Sequence, residues 1–259
     1  MRFFSMATLL VLSAAWIAPA QAHYHMLIPN KASAKTDESI GFAYQFGHPY
    51  EHQLFDTHKP TELYVLSPDG TKTDLLAKLE KIEADGGEGK KVTGYKFVFT
   101  PAKRGDYTFV AVSPEVKVEG EAHPLRDVAK VVLHVQTQNG WDCRALTAKG
   151  SAVEVSPLTR PYGLKPGVAF RVEADEPADG ERKSLSKLAV EFEKYNTKAP
   201  KELPEDEQIT GTARTARSGD AVVTLSETGW WGITALRERE KIQHRCTLWV
   251  YVDEKAPVK

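Results

Sequence analysis

Along most of the chain, apolar and polar residues alternate with a period of two, the signature of strands that bury one face. Tyr95-Lys96-Phe97-Val98-Phe99 and Leu188-Ala189-Val190-Glu191-Phe192-Glu193 alternate in this way. Leu63-Tyr64-Val65-Leu66 is a denser run, as is Val128 to Val135, with apolar side chains at Val131, Val132, Leu133 and Val135. Turn signals separate such runs: Ser67-Pro68-Asp69-Gly70, and Lys103-Arg104-Gly105-Asp106 ahead of Tyr107 to Val112. From Ser151 the pattern restarts, with strands expected at Ala152–Val155, Val168–Val172, Ala221–Leu225, Trp230–Leu236 and Cys246–Val252. Many short strands with turns between them imply an all-β protein of the sandwich type. Glu83 to Lys91 has no apolar periodicity and reads as a solvated hairpin loop. Pro200 to Gln208 is acidic and Pro-bounded and reads as a surface loop.

Gly105-Asp106-Tyr107-Thr108-Phe109-Val110-Ala111 is echoed by Gly229-Trp230-Trp231-Gly232-Ile233-Thr234-Ala235. In both, a glycine turn delivers an aromatic into a strand that ends on a small residue, as sandwich domains often do. Two tandem immunoglobulin-like β-sandwich domains are therefore expected, over residues 23–140 and 150–252. Their boundary should lie between Asn139-Gly140 and Gly150. The echo explains two other features without special function. Arg104-Gly105-Asp106 is a turn rather than an adhesion signal, and Trp230-Trp231 serve core packing rather than a sugar platform.

The first 22 residues depart from this pattern. Arg2 precedes an apolar stretch from Met6 to Ile17, and Ala20-Gln21-Ala22 ends it with small residues at a cleavage spacing. The stretch is shorter than the ~20 residues of a membrane span. It reads as a signal peptide cleaved after Ala22, so a soluble periplasmic protein is expected, with no stable membrane insertion. The formal net charge is −1, from 34 basic and 35 acidic residues, and lacks the basic excess of a nucleic-acid binder. The two cysteines, Cys143 and Cys246, suggest a disulfide in an exported chain. Thiol ligation of a metal is the alternative, since His244 lies near Cys246.

Cleavage after Ala22 would free an α-amine on His23, in the sequence His23-Tyr24-His25. A free amine, two intervening amides and a third-position imidazole can close a planar four-nitrogen chelate suited to Ni(II) or Cu(II). Alternatively, the amine and imidazole of His23 can grip one ion together, as in a histidine brace. A second cluster, Gly47-His48-Pro49-Tyr50-Glu51-His52, offers two imidazoles and a carboxylate. On a helical turn His48, Glu51 and His52 would share a face. His58, His123, His134 and His244 are weaker candidates, and His134, inside an apolar strand, reads as structural. The chain has no Gly-x-Ser-x-Gly elbow, phosphate loop or dinucleotide fingerprint, so no enzyme activity is expected.

Gly47-His48-Pro49-Tyr50-Glu51, Pro157-Leu158-Thr159-Arg160-Pro161-Tyr162, Gly229-Trp230-Trp231-Gly232 and the opening His-x-His carry a resemblance. Together they resemble a bacterial family of periplasmic proteins linked to nickel/cobalt transport systems (NikK- or NikM-like) and largely catalogued as a domain of unknown function. The resemblance spans essentially the whole chain after the leader. It implies a nickel- or cobalt-binding accessory to metal uptake, with a membrane metal transporter component as partner. It carries over His23, His25, His48 and Glu51 as ligands, whereas His52 rests on its own chemistry. A copper-binding protein, either a chaperone or of the histidine-brace type, and a β-sandwich binding module without metal remain open.

Overall fold

The computed structural model describes residues 23–87, 89–118, 121–136, 151–177 and 182–254. The expected leader (Met1 to Ala22), Cys143 and the 140–150 boundary lie outside them. The first half holds strands β1 (Tyr24–Pro29), β2 (Ser33–Ala34), β3 (Ile40–His48), β4 (Gln53–Phe55), β5 (Glu62–Leu66), β6 (Lys72–Asp74), β7 (Glu80–Asp85), β8 (Lys91–Phe99), β9 (Gly105–Val112) and β10 (Leu125–Val135). The second half holds β11 (Glu154–Pro157), β12 (Val168–Pro177), β13 (Arg182–Ser184), β14 (Ala189–Tyr195), β15 (Thr210–Arg214), β16 (Asp220–Leu225), β17 (Gly229–Arg239) and β18 (Ile242–Val252). Among the described residues, one short α-helix, α1 (Asp206–Ile209), precedes β15, and a 3-10 turn at Leu76–Lys78 follows β6. The all-β expectation holds. The two polar stretches are more ordered than expected: Glu83 to Asp85 complete β7, and the acidic stretch runs into α1.

The strands form three layers. A nine-stranded central sheet runs β15-β14-β17-β18-β10-β9-β5-β6, with β2 on β10. A five-stranded sheet (β1, β3, β8, β7, β4) covers one face, and a four-stranded sheet (β11, β12, β13, β16) covers the other. The two halves of the chain meet in the middle of the long sheet, where β10 pairs parallel with β18, Val128 opposite Cys246.

Side-chain alternation divides β10 between two cores. Ala129, Val131, Leu133 and Val135 face the first core with Phe42, Phe97 and Phe109, while Val128 faces the second with Val155, Phe170 and Leu248. The cores are not private to each half: Trp230 and Trp249 join the first, and Tyr64, Val110 and Val112 the second. Each large side chain buried in this way contributes about 1.5–3 kcal/mol. Trp249 explains part of the Gly229-Trp230-Trp231-Gly232 segment. Its indole lies over Gly232, where a Cβ would come within 3.0 Å of the ring.

The opening strand, β1, has no exposed residue. It packs above the place where β10 meets β18. Trp249 Nε1 donates to the His25 carbonyl oxygen at 3.2 Å, and the Arg245 guanidinium donates to that of His23. The first histidines of the expected mature chain are thus fixed on the interior framework.

Candidate metal centre

β1 and β3 pair antiparallel, with His25 opposite Phe46 and Tyr24 opposite Gly47. Residues facing each other across the ladder, and those two further along, share a side of the sheet. This places His23, His25, Tyr44, Phe46 and His48 in one patch. The rings of His23 and His48 have centroids 4.5 Å apart, and those of His25 and Phe46 likewise 4.5 Å. β4 adds Phe55, 5.2 Å from the His48 ring, and Gln53, opposite His48. Gly47 allows the close approach of β4, since a Cβ there would stand 2.2 Å from the Gln53 carbonyl oxygen.

The hydrogen bonds set the chemistry of this patch. His25 Nδ1 lies 2.6 Å from Asp127 Oδ2 on β10, both groups being buried. His48 Nδ1 lies 2.9 Å from Gln53 Oε1. Both partners are acceptors, so each Nδ1 carries a proton, and in the neutral form of either ring the lone pair is on Nε2. Nε2 of His25 and Nε2 of His48 are buried with no hydrogen-bond partner. Such an orphaned polar atom costs about 1–3 kcal/mol, and a bound ion would relieve it. Burial lowers the pKa of His48, opposed by the Glu51 charge and the Gln53 hydrogen bond. The lowered value favours the neutral form that ligates metal. Metal-binding histidines typically have the other ring nitrogen anchored in this manner.

Glu51 and His52 lie in the turn after β3, not on a helix, so the expected shared helical face is absent. Glu51 remains beside His48 electrostatically and has a buried Oε2 without a hydrogen-bond partner. His52 sits at φ 53° with Nδ1 held 2.9 Å from the Asn196 carbonyl oxygen, its ring against Tyr195. The turn is bolted to β14: the Tyr50 amide donates to Glu193 at 3.0 Å, and Asn196 Nδ2 donates to the Tyr50 carbonyl at 2.6 Å. Burial pushes the Glu193 carboxyl up to about 8, with help from the Glu51 and Glu191 charges, against hydrogen bonds from Thr210 and Tyr50.

A planar chelate through His25 would use its Nδ1, the ring nitrogen nearer the backbone. In this conformation that atom is engaged by Asp127, and Tyr24 and His25 belong to the β1–β3 ladder. The pair His23 and His48 is the closer fit to a two-imidazole grip. Among the described residues, no three His, Cys, Asp or Glu side chains stand close enough to hold an ion by themselves. A third donor would therefore have to come from elsewhere, and the α-amine that cleavage would free on His23 is one. Sequence reasoning missed Asp127 and Gln53. Asp127 could have been found, because it falls in phase with Ala129, Val131, Leu133 and Val135 and so faces the interior.

The other histidines stand apart. His58 is exposed, His123 pairs with Glu238 at 3.2 Å, and His134 pairs with Asp106 at 2.7 Å while stacking on Tyr162. Cys246 is a free thiol among the described residues, fully buried in the second core, and its expected disulfide partner, Cys143, lies outside them. Burial pushes the Cys246 thiol up to about 12, which removes the thiolate that metal ligation needs.

No curated protein matches the chain in sequence. Among solved structures, a DUF4785 family protein from Legionella pneumophila is 9% identical, covering 82% of this chain and 52% of its own, with a TM-score of 0.32. This chain thus spans about half the length of that protein. The D0-D1 domain of intimin is 14% identical, covering 89% of this chain and 100% of its own, with a TM-score of 0.24. The Yersinia pseudotuberculosis adhesin InvE is 10% identical, covering 88% and 59%, with a TM-score of 0.25. Scores this low carry no functional argument. The profile of one family spans residues 20–239, from the expected cleavage site through β17, and the chain belongs to that family, described as Domain of unknown function (DUF4198).

Proposed function

We propose that this protein is an exported, periplasmic binding protein for a divalent transition-metal ion, nickel or cobalt, and serves metal uptake rather than catalysis. The observation that carries this reading is the matched state of His25 and His48. Each has Nδ1 anchored to an acceptor and a buried Nε2 with no partner. Imidazole donors suit nickel and cobalt, and the ion is cargo that must leave again. A cleft of about 480 Å³ meets the patch at Gln53 and Phe55 and is also lined by Glu51, Leu203 and Ile209. Protonation of the imidazoles, or contact with a membrane transporter component, would release the ion, because protons compete with metal for the same lone pairs.

A second reading is copper binding. It is favoured by the proximity of the His23 and His48 rings, which with a free α-amine would form a histidine brace. Copper(II) also leads the divalent series on nitrogen sites.

Calorimetric titration of the processed protein with Ni(II), Co(II) and Cu(II) tests both readings. Wild type should bind one equivalent, with the affinity lost in His48→Ala and weakened in His25→Ala. Extending the processed N-terminus by one residue should abolish binding if the amine is a ligand. Selective copper binding would replace the first reading by the second, and no binding of any of the three ions would refute both.

A further inference from the structure

On the far side of β10 from Asp127, a second group of charged side chains is buried. Lys130 is 4% exposed, and its Nζ lies against Glu154 Oε1 and 2.6 Å from the Val155 carbonyl oxygen. Glu154, on β11, is fully buried. Directly opposite it in the β11–β12 register stands Asp175, 1% exposed. The half-exposed Arg182 closes the solvent side, with Nη1 3.2 Å from Asp175 Oδ2.

A simple ion pair accounts poorly for this group. Two ions taken out of water carry a large desolvation cost, which is offset only when their remaining hydrogen-bonding capacity is satisfied. Here Glu154 Oε2 and both oxygens of Asp175 have no hydrogen-bond partner. Burial raises the Glu154 and Asp175 pKa values, against the nearby Lys130 and Arg182 charges. The carboxyls are thereby biased toward the neutral acid.

We propose that Lys130 and Glu154 condense spontaneously into an intramolecular isopeptide bond that ties β10 to β11. The neutral Lys130 amine attacks the Glu154 carboxyl carbon. The new C–N bond forms, one Glu154 C–O bond breaks, and that oxygen leaves as water with its own acid proton and, on balance, one amine proton, while the amide nitrogen keeps the other. No oxidant or co-reactant is required. Asp175 is the positioning residue: as the acid, it polarises the neighbouring Glu154 carboxyl, gives a proton to the departing oxygen and recovers one from the attacking amine. The product exchanges two buried ionisable groups for one neutral amide and removes an oxygen that otherwise has no partner.

Intact mass spectrometry of the denatured, purified protein tests this without any variant. The mass should fall below that of the processed sequence by one water, and a branched peptide joining Lys130 to Glu154 should appear after proteolysis. Lys130→Arg should retain its full sequence mass. Glu154→Gln should reach the same final mass as wild type, by expelling ammonia instead of water. Asp175→Asn should slow the mass loss while leaving the circular dichroism spectrum unchanged, which a merely structural role would not do. A wild-type mass equal to the processed sequence overturns the proposal, as does a water loss mapped to any other pair.

Discussion

Replacing Asp127 with alanine should affect both the fold and the centre, and by separable amounts. Asp127 is 2% exposed, and its Oδ2 takes the 2.6 Å hydrogen bond of His25 Nδ1. A hydrogen bond to a charged group contributes about 1.5–3 kcal/mol, and the stranded His25 N–H would cost about 1–3 kcal/mol more. Part of this is returned, since Asp127 Oδ1 is itself buried without a partner and disappears with the side chain. A net loss of about 2–3 kcal/mol is expected, or a fall in melting temperature of about 5–10 °C for a chain of this size. Metal affinity should fall by about 10- to 100-fold, the usual effect of removing the group that orients a ligating histidine. Asp127→Asn keeps an acceptor oxygen and should restore most of the stability but only part of the affinity. Thermal unfolding followed by circular dichroism, alongside calorimetric titration, separates the two effects. An Asp127→Ala protein that melts with wild type and binds metal with unchanged affinity would refute the claim that this hydrogen bond fixes the tautomer.

Three further outcomes follow from the same geometry. Glu193 has its folded pKa raised to about 8 from an ordinary value near 4.5, so between those values the folded state binds more protons than the unfolded one. Stability from this group is therefore complete below about pH 4.5, declines as the pH rises to about 8 and is flat above. Glu193→Gln should flatten melting temperature against pH across that window, and an unchanged slope would count against a buried, neutral Glu193. Gly47→Ala should destabilise by about 2–4 kcal/mol, combining backbone strain with overpacking, because its Cβ would meet Gln53 and Leu54 main-chain atoms within 2.8 Å. Denaturant unfolding measures that loss, and a near-neutral substitution would mean that β4 does not lie where it is drawn. Cys246, with its thiol pushed up to about 12, should resist alkylation in the native protein and react only on unfolding; rapid native labelling mapped to this residue would refute its burial.

The strands were legible because a half-buried strand writes its period into the chain. Tyr95 to Phe99, Tyr107 to Val112 and Trp230 to Leu236 all lie where alternation and turn residues put them. What the pattern does not carry is pairing between distant segments. Nothing local in Val128 or Cys246 says that β10 and β18 run side by side, or that one sheet crosses both halves. The histidines of the centre were legible by type and spacing, and β1–β3 pairing sets His23, His25 and His48 on one side. His52 separated from them because a turn at positive φ, unlike a helix, sends neighbouring side chains in different directions. Asp127 and Lys130 were visible only as charged letters in an apolar strand, each in phase with a different buried row. Asp127 could be read from its phase alone, whereas Lys130 needed the knowledge that both faces of β10 are covered.

The strand that carries the first histidines rests on the last strand of the fold: the Trp249 indole reaches back 224 residues to the His25 carbonyl. Such a contact cannot form while the chain is still being made, and closing so long a loop delays folding relative to local structure. The centre is therefore assembled last. A chain that stops before β18 lacks both Trp249 and the partner strand of β10, so it has no seat for β1. Under the export and ion binding proposed above, this order would have a use: a nascent chain without its final strand could not lock the histidine patch on the wrong side.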